Sequence, residues 1–186
     1  SYNKLVNSDF VFVKGVVFSL MHQQNNGFTF NLDYTFQIAG GTASDPYQAQ
    51  QASSSGKLPE IHLIPLNWDQ RHTLNSSINY SINNYGLSLI SKFGSGLPFT
   101  PESSEDITSL IQNSDTKPFT TNTDFRAYYN YELNQYKLNF FFKVFNLFDR
   151  LNHYGIYADT GVADRTRYLE QAQSQNTNEY INTVEE

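Results

Sequence analysis

Residues 28–38, FTFNLDYTFQI, alternate without a break between apolar and polar side chains. Phe28, Phe30, Leu32, Tyr34, Phe36 and Ile38 occupy the even positions, and Thr29, Asn31, Asp33, Thr35 and Gln37 the odd ones. Successive side chains of a strand point to opposite faces, so this segment predicts a strand with one apolar and one polar face. At eleven residues it is about twice the usual strand length.

The pattern recurs along the chain. His72, Leu74, Ile78, Tyr80 and Ile82 alternate with Thr73, Asn75, Ser77, Asn79 and Ser81. Tyr85, Leu87, Leu89 and Phe93 share one side, interrupted by Ser91. Phe125, Ala127, Tyr129, Tyr131 and Leu133 oppose Arg126, Asn130 and Glu132, with Tyr128 as the exception. Tyr136, Leu138, Phe140, Phe142 and Val144 oppose Lys137, Asn139 and Lys143. The earliest segment, FVFVKGVVFSLMH at 10–22, is apolar on both sides and leaves its register open. Six strands follow, at about 10–22, 28–38, 71–82, 85–94, 123–133 and 136–147. Each meets the ~9–11 residues that a tilted strand needs to cross a bilayer.

The connections alternate in length. QQNNG at 23–27, Asn83-Asn84 and Asn134-Gln135 are short, and Asn tolerates the positive φ of tight turns. The intervening stretches 39–70, 95–121 and 149–186 are long. A soluble sandwich has no reason to sort its connections this way, whereas a membrane barrel does. The expected class is therefore all-β: an antiparallel transmembrane β-barrel with short periplasmic turns and long extracellular loops. Residues 1–186 are expected to form one partial barrel domain, because six strands are fewer than the eight of the smallest membrane barrels. On this reading Phe28, Phe30, Leu32, Tyr34, Phe36, Ile38, Leu87, Leu89, Leu138, Phe140 and Phe142 face lipid.

Composition accounts for the same pattern. Aromatic residues make up 16% of the chain and charged residues another 16%, against roughly 25% charged in an ordinary soluble domain. Asn and Ser contribute about a fifth. The mean hydropathy is −0.51, and no run approaches the ~20 apolar residues of a membrane helix. A net charge of −6 argues against nucleic-acid binding. With no cysteine, disulfides and thiol chemistry are excluded.

Three stretches carry a family resemblance. They are PLNWDQRHTLNSSINY (65–80), YGLSLISKFGSGLPFTP (85–101) and LNFFFKVFNLFDRLNHYGIYADTG (138–161), with VFNLFDR the most specific. Together they resemble the C-terminal barrel of TonB-dependent outer-membrane receptors, in particular the type bearing a carboxypeptidase-regulatory-like domain in Bacteroidota and related phyla. The resemblance spans about 5–165. It implies a 22-stranded barrel around an N-terminal plug, in the outer membrane of a Gram-negative bacterium, importing a scarce ligand with energy from the TonB complex. Under it the chain corresponds to strands 16–21, with plug, TonB box and final strand lying elsewhere. The implied partners are outer-membrane lipid, the plug, the remaining barrel strands, TonB and an imported ligand of unknown identity. A passive porin-like channel and a surface-binding or adhesion β-domain are the alternatives.

No catalytic, cofactor or metal site is expected. His22, His62, His72 and His153 show no ligand spacing. Asp159 and Asp164 lack the dense oxygen spacing of a calcium loop. Gly94-Ser95-Gly96 has neither the lysine nor the helix of a phosphate loop. Residues 162–173 predict a short helix capped by Thr160 or Asp164. The segment Trp68-Asp69-Gln70-Arg71, where a long loop enters a strand, is the one candidate site. Trp68, Asp69 and Arg71 either contact ligand or plug, or anchor the loop exit through an Asp69–Arg71 pair.

Overall fold

The computed structural model describes residues 10–24, 26–42, 54, 63–102, 112–170 and 172. Among them six long strands form one open antiparallel sheet: β1 (Val11–Gln23), β2 (Phe28–Gly41), β4 (His72–Ile82), β5 (Tyr85–Gly94), β8 (Thr120–Leu133) and β9 (Tyr136–Val144). Each pairs with its neighbour in chain order. Two-residue strands complete the set: β3 (Ile64–Pro65) extends the ladder on β2, and β6 (Pro98–Phe99) pairs with β7 (Asp115–Thr116). Parts of the expected loops, and His62 with them, lie outside the described residues.

Register decides which side chains share a face, because residues directly opposite in an antiparallel pair point the same way. The row His22–Phe30–Ile78–Leu89–Phe125–Val144 crosses the whole sheet. All five ladders keep that phase. Phe28, Phe30, Leu32, Tyr34, Phe36, Ile38, Leu87, Leu89, Leu138, Phe140 and Phe142 therefore lie on one continuous face. Lys14 is the only Lys, Arg, Asp or Glu among the strand residues of that face. Two polar pairs meet there: Ser91 and Thr123 bond each other at 3.0 Å, and Tyr34 bonds His72 at 2.8 Å. The opposite face carries Thr, Asn, Ser and most of the strand charges. The register of β1 is now set: Val11, Val13, Val17 and Met21 join the polar face, and Phe12, Lys14, Val16, Phe18, Leu20 and His22 the apolar one.

The strands are staggered in one direction. Along the row Gln23–Thr29–Asn79–Ser88–Arg126–Lys143, the first pair closes the first turn. Asn79 and Ser88 lie three residues short of Ile82 and Tyr85, and Arg126 and Lys143 seven short of Leu133 and Tyr136. Seven residues of offset over four strand spacings amount to about 23 Å along the strands and about 19 Å across them. With the turns in one plane, the strands tilt by roughly 50°.

Turns sit at one end of the sheet. Asn83 and Asn134 open theirs at φ 47° and 51°. Gly27 takes φ 87° and packs so closely on the Ser81 carbonyl that a Cβ would collide with it. The exceptional Tyr128 lays its ring over Gly86 on the polar face, where a Cβ on Gly86 would strike it, and its hydroxyl reaches Ser81 at 2.8 Å. An aromatic ring thus covers a strand glycine, a known device for holding register.

Three boundaries differ from expectation by three residues, the others by one at most. β2 runs on to Gly41 because Gly40 and Gly41 pair with β3. β8 starts at Thr120, where Asn152 replaces a neighbouring strand: its Oδ1 accepts from the Thr121 N–H at 3.0 Å and its Nδ2 donates to the Thr121 carbonyl at 2.8 Å. β9 stops at Val144 instead of 147, because Asn146 turns the chain at φ 52°.

Buried apolar residues are confined to the loop end. Ala39, Ile64, Leu66 and Phe99 are buried, whereas mid-strand side chains such as Phe140 (58% exposed) and Phe142 (59%) are open. Among the described residues no second layer covers the apolar face.

Candidate functional site

The segment 64–71 runs along the outer side of β2 beyond the end of β4. Gln37 donates to the Arg71 carbonyl at 3.0 Å, and Leu66 donates to Ala39 at 3.1 Å. Between them the Ala39 N–H meets no backbone carbonyl. It donates to Asp69 Oδ1 at 2.7 Å instead, so this side chain stands in for a missing strand. The other oxygen accepts from Arg71 Nε at 3.2 Å. Asp69 is 1% exposed; its carboxylate is tolerated there because it is paired and hydrogen-bonded. Trp68 is 44% exposed and the Arg71 side chain 50%, so both reach the rim of the sheet.

The polar face beside this rim is concave. Gln70, Thr73, Asn75, Lys92, Gly94, Thr120, Asn122 and Asn152 contribute to a hollow of about 310 Å³. Gln70 is held by a bond from Nε2 to the Ser95 carbonyl at 3.1 Å. Asn122 Oδ1 is buried without a partner at the edge of this hollow.

The VFNLFDR stretch forms a closed turn. Asn146 Oδ1 accepts from the Arg150 N–H at 3.0 Å while its Nδ2 donates to the Arg150 carbonyl at 3.1 Å. Its own N–H reaches Asp124 Oδ1 at 3.0 Å, and Asp149 takes φ 49°. The Arg150 guanidinium stacks over Phe119 at 4.5 Å. The asparagine explains the local geometry: its side chain bonds backbone in both directions and its backbone tolerates αL.

The short helix begins later than expected, at Arg167. Its cap is Thr166 together with Asp159, whose Oδ2 accepts from Thr166 Oγ1 at 2.7 Å and from the Arg167 N–H at 2.6 Å. Thr160 instead bonds the Arg165 carbonyl. Burial works to raise the pKa of Asp159, but these hydrogen bonds outweigh it and hold the carboxyl below its ordinary value.

The loops interlock at the same end. Asn113 Nδ2 donates to the Pro65 carbonyl at 2.7 Å, its N–H meets Thr100 Oγ1 at 3.0 Å, and Glu102 donates to Ala158 at 2.8 Å. Among the described residues no cluster of three or more His, Asp or Glu is placed to hold a metal ion. The sequence places Gln70 in the candidate segment but gives it no role, and it does not signal Asn152 at all, because both roles depend on how separate loops meet. No family model matches the chain, nor does any curated protein or solved structure.

Proposed function

We propose that this sheet is part of the wall of a TonB-dependent outer-membrane receptor that binds a scarce extracellular ligand and imports it. One observation carries the reading: five ladders in constant phase leave a single uncovered apolar face with one charged strand residue, Lys14. In water such a face demands a partner. In a bilayer it is the surface that lipid requires, with every mid-sheet backbone group satisfied by its neighbours. Lys14 lies nine residues from the end of β1 at Gln23, and His72 ten from Ile82. At ~3.3 Å per residue and this tilt, that height is roughly 20 Å, of the order of the ~25 Å apolar band of membrane barrels. Tyr80, Tyr85, Tyr129, Tyr131 and Tyr136 gather toward the turn end, in keeping with an interfacial girdle. The one-way stagger supports closure with further strands, since barrels require it.

The importer assignment rests on the resemblance at 65–80, 85–101 and 138–161. Its test is capture of the full-length protein by the periplasmic domain of TonB, paired with planar-bilayer recording. Capture with a closed pore is the expected result. Steady conductance without capture would assign a passive channel.

A further inference from the structure

We propose that Arg126 and Lys143 form an anion-binding site on the polar wall of the sheet. This deepens the receptor reading, in which that wall faces the lumen, by assigning a cargo that carries a carboxylate or phosphate group.

Arg126 lies directly opposite Lys143 in the β8–β9 ladder, on the polar face. Like charges so placed repel and cost stability, and sheets ordinarily pair opposite charges there. Among the described residues the two ion pairs are Asp69–Arg71 and Glu132–Lys137, so neither Arg126 nor Lys143 is neutralised by a carboxylate. Asp124, two residues from Arg126 on the same face and diagonal to Lys143, keeps its negative charge while Oδ1 accepts from the Asn146 N–H, but it forms no ion pair with either cation. The Lys143 ammonium sits 5.4 Å from the Phe141 ring centroid, a contact that orients the charge without cancelling it.

The surroundings complete a binding surface. Tyr128, Asn130, Asn139, Phe141 and Lys143 line a hollow of about 490 Å³, in which the Asn139 amide is bonded to Asn130 and the Tyr128 hydroxyl to Ser81. Lys92 lies seven residues from Tyr85, as Arg126 does from Leu133 and Lys143 from Tyr136. Lys92 faces Asn122, four residues along β8 from Arg126, so it stands about 14 Å from the pair and extends the positive wall, as cationic side chains do in pores that favour anions. Paired cations also suit charge-assisted hydrogen bonds to a carboxylate or phosphate.

The test is equilibrium dialysis of radiolabelled citrate and of pyrophosphate against the full-length protein in nonionic detergent at low ionic strength. Binding of one or both that weakens with added salt is expected. Lys143→Glu should reduce it at least tenfold while raising the unfolding temperature, because a repulsive pair becomes an attractive one. Arg126→Gln and Lys143→Gln should each weaken binding without that thermal gain, and serve if the charge reversal does not fold. Absence of binding to both anions, or binding unchanged in these variants, overturns the proposal. Liposome insertion of the same preparation is scored separately: failure there overturns the receptor reading and leaves the anion result standing.

Discussion

Asp69 holds a position that a backbone carbonyl would fill if β4 were longer. Asp69→Ala would strip the Ala39 N–H of its partner in a buried site. The expected cost is about 1–3 kcal/mol in an unfolding titration from lipid vesicles, with Asp69→Asn closer to wild type because it keeps an acceptor. An equal loss in both would point to the Arg71 charge as the dominant contribution. Gly86 offers a second test at this scale. Gly86→Ala drives a methyl into the Tyr128 ring and should destabilise by about 1–3 kcal/mol, most of it relieved in the double variant with Tyr128→Ala. Neither role was legible in the sequence. Tyr128 read as a break in the alternation, and only the register Gly86–Tyr128 turns that break into a packing partner. Asp69 could be placed at a loop exit, but its bond to Ala39 spans thirty positions and has no local signal.

The long strands were legible because a two-residue period is a local property and survives in the sequence. Their ends were less so. β9 stops where Asn146 takes positive φ, and β8 starts early because a side chain from residue 152 closes its edge. The three two-residue strands left no pattern at all, since pairing between loops fixes them. At this scale the sided sheet makes its sharpest prediction in β5. Leu89 lies four residues from Tyr85 on the apolar face, nearer the middle of the band than Phe36, and Ser88 is its neighbour on the polar one. Leu89→Lys should cost roughly 2–4 kcal/mol in a bilayer-folding titration, and Ser88→Lys under about 1. Comparable costs would mean that neither side meets lipid. The helical turn at 167–170 responds to acid instead. The Asp159 carboxyl has a lower pKa folded than unfolded, so its contribution is present above the ordinary carboxylate range, near ~3.9. It is lost as pH falls through the lower folded value. Amide exchange at Arg167 and Tyr168 should accelerate over that acid window, and Asp159→Asn should remove the step.

At the scale of the molecule, β1 and β9 each pair on one side only among the described residues, which leaves the sheet two free edges there. Such edges, joined to an uncovered apolar face, are hazards in water and are abolished by closure into a barrel. Val11, Val13, Val17 and Met21 stand exposed on the polar side of β1 among the described residues. The candidate anion wall was half legible: alternation put Arg126 and Lys143 on the polar side, but only the ladder sets them opposite each other. On the proposed receptor reading, the two faces of this sheet meet lipid and water respectively. These 186 residues hold no cysteine, so single cysteine substitutions along β5 and β9, made in full-length protein in liposomes with any cysteine elsewhere replaced, can carry a fluorophore. Quenching by lipid-borne nitroxides at 87, 89, 140 and 142, and by aqueous iodide at 88, 92, 139 and 143, is the predicted alternation. Equal aqueous quenching at both sets would contradict the account.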